Sequence, residues 1–185
     1  MWVQLNRSQV HFILRFSITF SLLYGFNLAF IGLSTRPGYY LVFLHDHLNY
    51  IDLWRSINIK GASTILKISG YHVVESATSL SVFPNGGFNL VYSCLGYGVM
   101  SSFAAFILSY PGLSYPGIHR FKVLYLVGGL IIIQVLNILR LVCLALFWNH
   151  RGSTYIDHHL LFNITVYGTL IYYTYLCSHK KYISK

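Results

Sequence analysis

One long apolar stretch constrains this chain more than any other feature of its sequence. Residues 121–148 contain the string VLYLVGGLIIIQVLNILRLVCLALFW, in which Arg140 is the single charged residue. A helix needs about 20 mostly apolar residues to cross the hydrocarbon core of a bilayer. The stretch is long enough to cross, so the sequence predicts a membrane protein.

The composition agrees with this prediction and excludes two other classes. Of the 185 residues, 55% are hydrophobic and 9% are charged, whereas soluble domains carry about 25% charged residues. Disorder is excluded because it requires low hydrophobicity. The net charge of +9 would suggest nucleic-acid binding in a soluble protein. In an apolar chain it indicates orientation in a bilayer.

The hydrophobic pattern predicts an all-α polytopic membrane protein with about four transmembrane helices, built as a single domain over residues 1–185. The predicted spans are residues 10–33, 94–110, 121–148 and 158–177. Residues 39–70 carry so many charges that inserting them across the bilayer would cost too much free energy. They therefore predict an amphipathic helix on the outer face. Asn85-Gly86 between alternating runs predicts a small extracytoplasmic β-hairpin within residues 71–93.

Basic residues orient this arrangement. Arg7, the 119–122 loop and the lysine-rich tail are dense in positive charge, which is typical of cytoplasmic segments. Four crossings then place both termini inside and residues 34–93 and 149–157 outside.

Arg140 is the first candidate functional residue. It lies about 12 Å, at 1.5 Å per residue, below the predicted outer end of its helix. An arginine at bilayer depth costs at least about 2.5–3.5 kcal/mol and usually faces a polar cavity. Asn137 lies one turn earlier on the same face. The alternative is that Arg140 only extends its charge to the interface.

Cys94 is the second candidate, because it opens an apolar stretch at the predicted outer end. A helix N-terminus there would favour a thiolate, and Gly96 would allow a close approach of the backbone to a substrate. Taken alone, such a cysteine is more often a small buried hydrophobic residue. That structural interpretation is kept for Cys143 and Cys177.

His158 and His159 are the third candidate, because they open the last predicted span at the same outer end. Histidine is the natural acid–base group near neutral pH, although Asp157 could simply cap a wet helix start here. Because successive predicted spans cross the membrane in opposite directions, Cys94, Arg140 and the histidine pair fall at a similar depth in the outer leaflet. A thiolate, an imidazole and a fixed cation together suit acyl transfer on a peptide bond.

These motifs resemble the exosortase/archaeosortase family. The matching residues are Tyr92-Ser-Cys94-Leu-Gly96, Asn137-Ile-Leu-Arg140 and His159 at the start of the last helix. The family often has Ser-Gly after its cysteine, where this chain has Leu95 before Gly96. The family histidine is often followed one turn later by Gly, where this chain has Asn163. These departures leave the choice between His159 and His158 open.

The resemblance, over roughly residues 50–178, implies a cysteine transpeptidase or protease with Cys94, Arg140 and His159 as catalytic residues and Asn137 and Gly96 in support. Such enzymes sit in the bacterial plasma membrane with the active site facing outward. They cleave the C-terminal sorting signal of membrane-anchored exported proteins and transfer these to a cell-surface acceptor. No cofactor, metal or nucleic acid is implied.

Two other functions remain open at this point. The first is a non-enzymatic scaffold or assembly subunit of an envelope polysaccharide system, with lipid head groups in the same pocket. The second is a metal or haem protein using the nine histidines. Their scatter over both predicted sides makes this the weaker alternative.

Overall fold

Helices account for most of the chain that the computed structural model describes, namely residues 6–34, 41–110, 119–146, 164–170 and 172. The helices are α1 (Arg7–Ser34), α2 (Val42–His47), α3 (Tyr50–Ile68), α4 (Tyr97–Ser109) and α5 (His119–Leu146). Residues 164–170 are also helical. The chain divides into two compact units. The first unit comprises Met1–Leu53 and Tyr92–Ile131, and the second comprises Trp54–Val91 and Ile132–Lys185.

Two of the described helices, α1 and the Lys122–Leu146 part of α5, are long and apolar enough to cross a membrane. The predicted span over 94–110 contains a shorter helix. The 13 residues of α4 extend about 20 Å, against a hydrocarbon thickness of about 30 Å. Most of the predicted span over 158–177 lies outside the described residues. The four predicted crossings are therefore represented here by two candidate spans.

Local backbone preferences explain why α4 is short. Gly96 precedes it with φ of 79°, a left-handed conformation that glycine adopts without steric cost. Tyr110 follows it in an extended conformation and stands before Pro111, and a residue before proline is disfavoured in the helical region. Helix α4 thus starts three residues after Cys94 rather than at it.

In the first unit, α1 and α4 pack antiparallel through aromatic side chains. The Phe12 ring lies 5.8 Å from that of Phe106, near the end of α4. At the other end, a Cβ atom on Gly98 would lie 3.8 Å from the Tyr24 ring. Along α1, aromatic rings stack on one another every four residues, which is the spacing that places side chains on one helix face. Its members are Phe12, Phe16, Phe20 and Tyr24.

The second unit contains a three-stranded antiparallel sheet in the order β1-β2-β3. Its strands are β1 (His72–Glu75), β2 (Ser79–Phe83) and β3 (Gly86–Asn89). The predicted hairpin is present as β2 and β3, although Pro84 and Asn85 form the turn and Gly86 opens the next strand. Strand β1 was not predicted. One face of the sheet is buried through the side chains of Leu80, Val82 and Phe88.

Helix α3 supplies much of the core of the second unit, and its buried face is partly polar. Arg55, Asn58, Ile59, Ala62 and Leu66 recur on that face, and the helix packs on α5 where Gly61 meets Ile138. The sequence predicted an amphipathic helix in this region. Its location on the outer membrane face remains a prediction.

Candidate active site

The structure places Cys94 in the turn that precedes α4. This turn is a single 3₁₀ helix over Tyr92–Leu95, in which Leu95 is fully buried and Cys94 is half-buried. Gly96 then reverses the backbone, and its carbonyl accepts a hydrogen bond from the Met100 amide at 3.0 Å. The thiol is therefore carried on a short ordered turn at the start of an apolar helix.

Aromatic contacts within the first unit hold the start of α4. Tyr97, its first residue, lies edge-on to Tyr50 with ring centroids 6.1 Å apart. The Tyr50 hydroxyl donates a hydrogen bond of 2.7 Å to Asn27 Oδ1 on α1, and the Asn27 amide donates to the Leu23 carbonyl. Burial raises the pKa of Tyr50 above its ordinary value, so this hydroxyl ionises even less readily than that of a solvated tyrosine. Three helices thus meet beside the Cys94 turn.

Arg140 lies in the second unit, on the last two turns of α5. Its Nε atom is buried in the protein, whereas Leu139 beside it is 44% exposed. Asn137, one turn earlier, is completely buried. The sequence predicted that these two residues share a protein-facing side, and both of them are at least partly enclosed.

Asn137 belongs to a cluster of three amide side chains, of which Asn58 and Asn137 are completely buried and Gln134 is half-buried. Asn58 Oδ1 on α3 accepts hydrogen bonds from Asn137 Nδ2 and from Gln134 Nε2, each 2.9 Å long. Asn58 Nδ2 donates to the Trp54 carbonyl at 2.8 Å, and Asn58 is itself completely buried. We call these three residues the amide cluster. It fixes α3 against α5 one helical turn before Arg140.

The sequence interpretation missed two members of the amide cluster, Asn58 and Gln134. Gln134 and Asn137 are the two side-chain amides in the 121–148 stretch, and they are three residues apart. That spacing puts them on one helix face and was the available signal for a polar partner. Asn58 carried no such signal, because it lies in a segment rich in charged residues.

The turn of the β-hairpin contacts the end of α5. Asn85 Nδ2 donates a hydrogen bond of 3.2 Å to the carbonyl of Leu146, the last residue of α5. The hairpin turn and the C-terminal end of α5 therefore lie together, six residues beyond Arg140.

The remaining sequence candidates divide in two. Cys143 is an exposed thiol on α5. His158, His159 and Cys177 lie outside the described residues. Within the described part of the chain, no three His, Cys, Asp or Glu side chains are grouped so that they could hold a metal ion.

Comparison with known proteins identifies the class to which these features belong. The transmembrane exosortase family model matches residues 2–177, which includes both candidate spans, the sheet and the Cys94 turn. The chain therefore belongs to the transmembrane exosortase family. Membership indicates a membrane protein with a transpeptidase role. Neither the curated proteins nor the solved structures contain a match.

Proposed function

We propose that this protein is a membrane-embedded cysteine transpeptidase or protease that cleaves a C-terminal sorting signal. Its substrates would be exported proteins anchored in the bacterial plasma membrane, and its product would be attached to a cell-surface acceptor. The observation that carries the proposal is the family match over residues 2–177, together with a thiol on an ordered turn at the start of α4.

In this proposal Cys94 is the nucleophile. Its thiolate attacks the carbonyl carbon of the scissile peptide bond, and the thiol proton passes to His159, with His158 as the alternative base. Collapse of the tetrahedral intermediate breaks the C–N bond, and the imidazolium returns the proton to the leaving amine. The resulting thioester is resolved by an acceptor nucleophile or by water, which frees the thiol.

Arg140 is proposed to stabilise the negative charge that develops on the carbonyl oxygen. A planar guanidinium offers two parallel donors to one oxygen, and a fixed donor in a water-poor site gives a large contribution to such a step. The amide cluster supports this role, because it immobilises α5 one turn away.

The membrane orientation is part of the proposal. The hairpin turn and the end of α5 share one side, since Asn85 bonds the Leu146 carbonyl. We propose that this side is the outer one, with both chain termini in the cytoplasm.

The experiment that tests the function is processing of a co-expressed membrane-anchored reporter that ends in a short motif, an apolar helix and basic residues. Cys94→Ala is expected to abolish the shortened product while the enzyme still inserts, because the thiol is the attacking group. Cys143→Ala is the matched control, since it removes an exposed thiol on α5, and it should process normally. Full processing by Cys94→Ala would reject the nucleophile. Normal surface assembly without any cleavage would favour the scaffold function.

A further inference from the structure

Large apolar side chains on the β-sheet and at the end of α3 are left exposed by the protein. Ile68 at the end of α3, Val74 on β1 and Phe83 at the end of β2 are 82%, 62% and 77% exposed. Phe83 pairs with His72 across the sheet, directly after Tyr71, which is also exposed. We call Ile68, Tyr71, Val74 and Phe83 the turn-end patch.

The turn-end patch lies near the C-terminal end of α5. The length of α5 indicates how deep that end would lie in a membrane. The 25 residues of Lys122–Leu146 extend about 37 Å, which exceeds the hydrocarbon thickness of about 30 Å. Leu146 therefore falls in the head-group layer of a membrane that α5 crosses. Asn85 bonds the Leu146 carbonyl, and Phe83 precedes Asn85 by two residues, at most about 7 Å of chain.

The chemistry of the turn-end patch suits this depth. Aromatic residues are enriched at membrane–water interfaces, and a contiguous exposed apolar patch commonly marks a protein or membrane contact. On α3 the Lys67 ammonium pairs with the Glu75 carboxylate at 3.2 Å, whereas Lys60 is exposed about two turns before Ile68. The exposed apolar side chains and their position at the level of a helix end, rather than a cluster of free cations, fit a bilayer surface.

We propose that the turn-end patch binds the phospholipid bilayer, with Phe83 inserted into the head-group layer on the side of the C-terminal end of α5. The sequence placed the hairpin outside the bilayer. The proposal instead seats its turn on the membrane surface. It does not depend on the catalytic assignment, since it concerns the lipid contact alone.

A fluorescent label tests this contact. In a background carrying Cys94→Ala, Cys143→Ala and Cys177→Ala, Phe83→Cys is labelled with an environment-sensitive nitrobenzoxadiazole dye and reconstituted into phosphatidylcholine–phosphatidylglycerol vesicles. The expected result is blue-shifted emission that doxyl-labelled lipids quench and that aqueous iodide quenches weakly. Val74→Cys, labelled in the same way, provides a second position on the patch if Phe83→Cys does not fold.

Asn89→Cys is the matched control. Asn89 is exposed and shares the sheet face of Phe83, but it lies about four residues, or roughly 13 Å, along the strands. Its label should be quenched by iodide rather than by lipid. Equal lipid quenching at both positions, or equal iodide quenching, would overturn the proposal. If the emission at residue 83 is blue-shifted but is not quenched by doxyl lipids, and if it changes with the protein-to-lipid ratio, the patch would instead contact a second copy of the protein.

Discussion

Replacement of Asn58 by alanine is expected to destabilise the second unit, because it removes the acceptor on which the amide cluster is built. Asn58 Oδ1 accepts from both Gln134 and Asn137 at 2.9 Å. In Asn58→Ala, these two donors on α5 would remain enclosed without that acceptor. The perturbation is therefore larger than the loss of a single hydrogen bond.

The expected magnitude follows from two scales. A buried donor that loses its acceptor costs about 1–3 kcal/mol in soluble proteins, which sets an upper limit of about 6 kcal/mol for two donors, since Gln134 is half-buried. Hydrogen bonds between membrane helices contribute about 0.6 kcal/mol on average, which gives about 1.2 kcal/mol for two. We expect a loss of unfolding free energy between about 1 and about 6 kcal/mol. A value near the lower end would indicate that the unfolded chain finds other partners in lipid.

The assay is reversible unfolding of the purified protein in mixed detergent micelles, followed by far-ultraviolet circular dichroism. Thr64→Ala is the matched control, since Thr64 is exposed on α3 and its hydroxyl bonds the Lys60 carbonyl of the same helix. A double-mutant cycle of Asn58→Ala with Asn137→Ala should give a coupling energy of about 0.6–1.7 kcal/mol. If Asn58→Ala unfolds like Thr64→Ala and the coupling is zero, the cluster does not stabilise the unit.

Three further predictions concern topology and catalysis. Asn85→Cys in intact cells is expected to react with a membrane-impermeant maleimide, and labelling only after lysis would reverse the proposed orientation. Arg140→Lys keeps the charge but loses the planar pair of donors, so reporter processing should slow by on the order of 10²–10³, and wild-type turnover would remove Arg140 from the catalytic residues. His159→Ala should lose nearly all processing and His158→Ala only part, as measured with the same reporter, and the reverse order would shift the motif by one residue.

The sequence predicted those parts of the fold that depend on local pattern. The apolar run of α5 and the Asn85-Gly86 turn signal are contiguous features of the sequence. The structure has a helix and a hairpin at these places, although the turn itself is Pro84-Asn85. The start of α4 was predicted at Cys94 because hydrophobicity alone marks no boundary there. The structure begins the helix at Tyr97, since Gly96 adopts a positive φ.

In the candidate site, too, the residues with a local sequence signal were predicted and those defined by distant contacts were missed. Asn137 and Arg140 were singled out because polar residues are rare in an apolar helix, and the signal lies within that helix. Asn58 is 79 residues away from Asn137 along the chain, so no local periodicity connects them. Strand β1 was missed for a related reason, because its pairing with β2 is what defines it and its four residues include two exposed polar ends.

The two sides of α5 explain why its polar residues belong to the protein rather than to the lipid. Ile131, Val135, Leu139 and Cys143 form an exposed stripe with four-residue spacing, and Ile133, Asn137, Leu141 and Ala145 form a buried one. Arg140 lies between the two stripes and keeps its Nε enclosed, one turn after Asn137. Because burial of a cation is costly, we expect Arg140 to depend on how rigidly the amide cluster holds this part of α5. If Asn58→Ala destabilises the protein and also slows processing more than its loss of folded protein explains, the amide cluster positions Arg140 as well as holding α3 and α5 together.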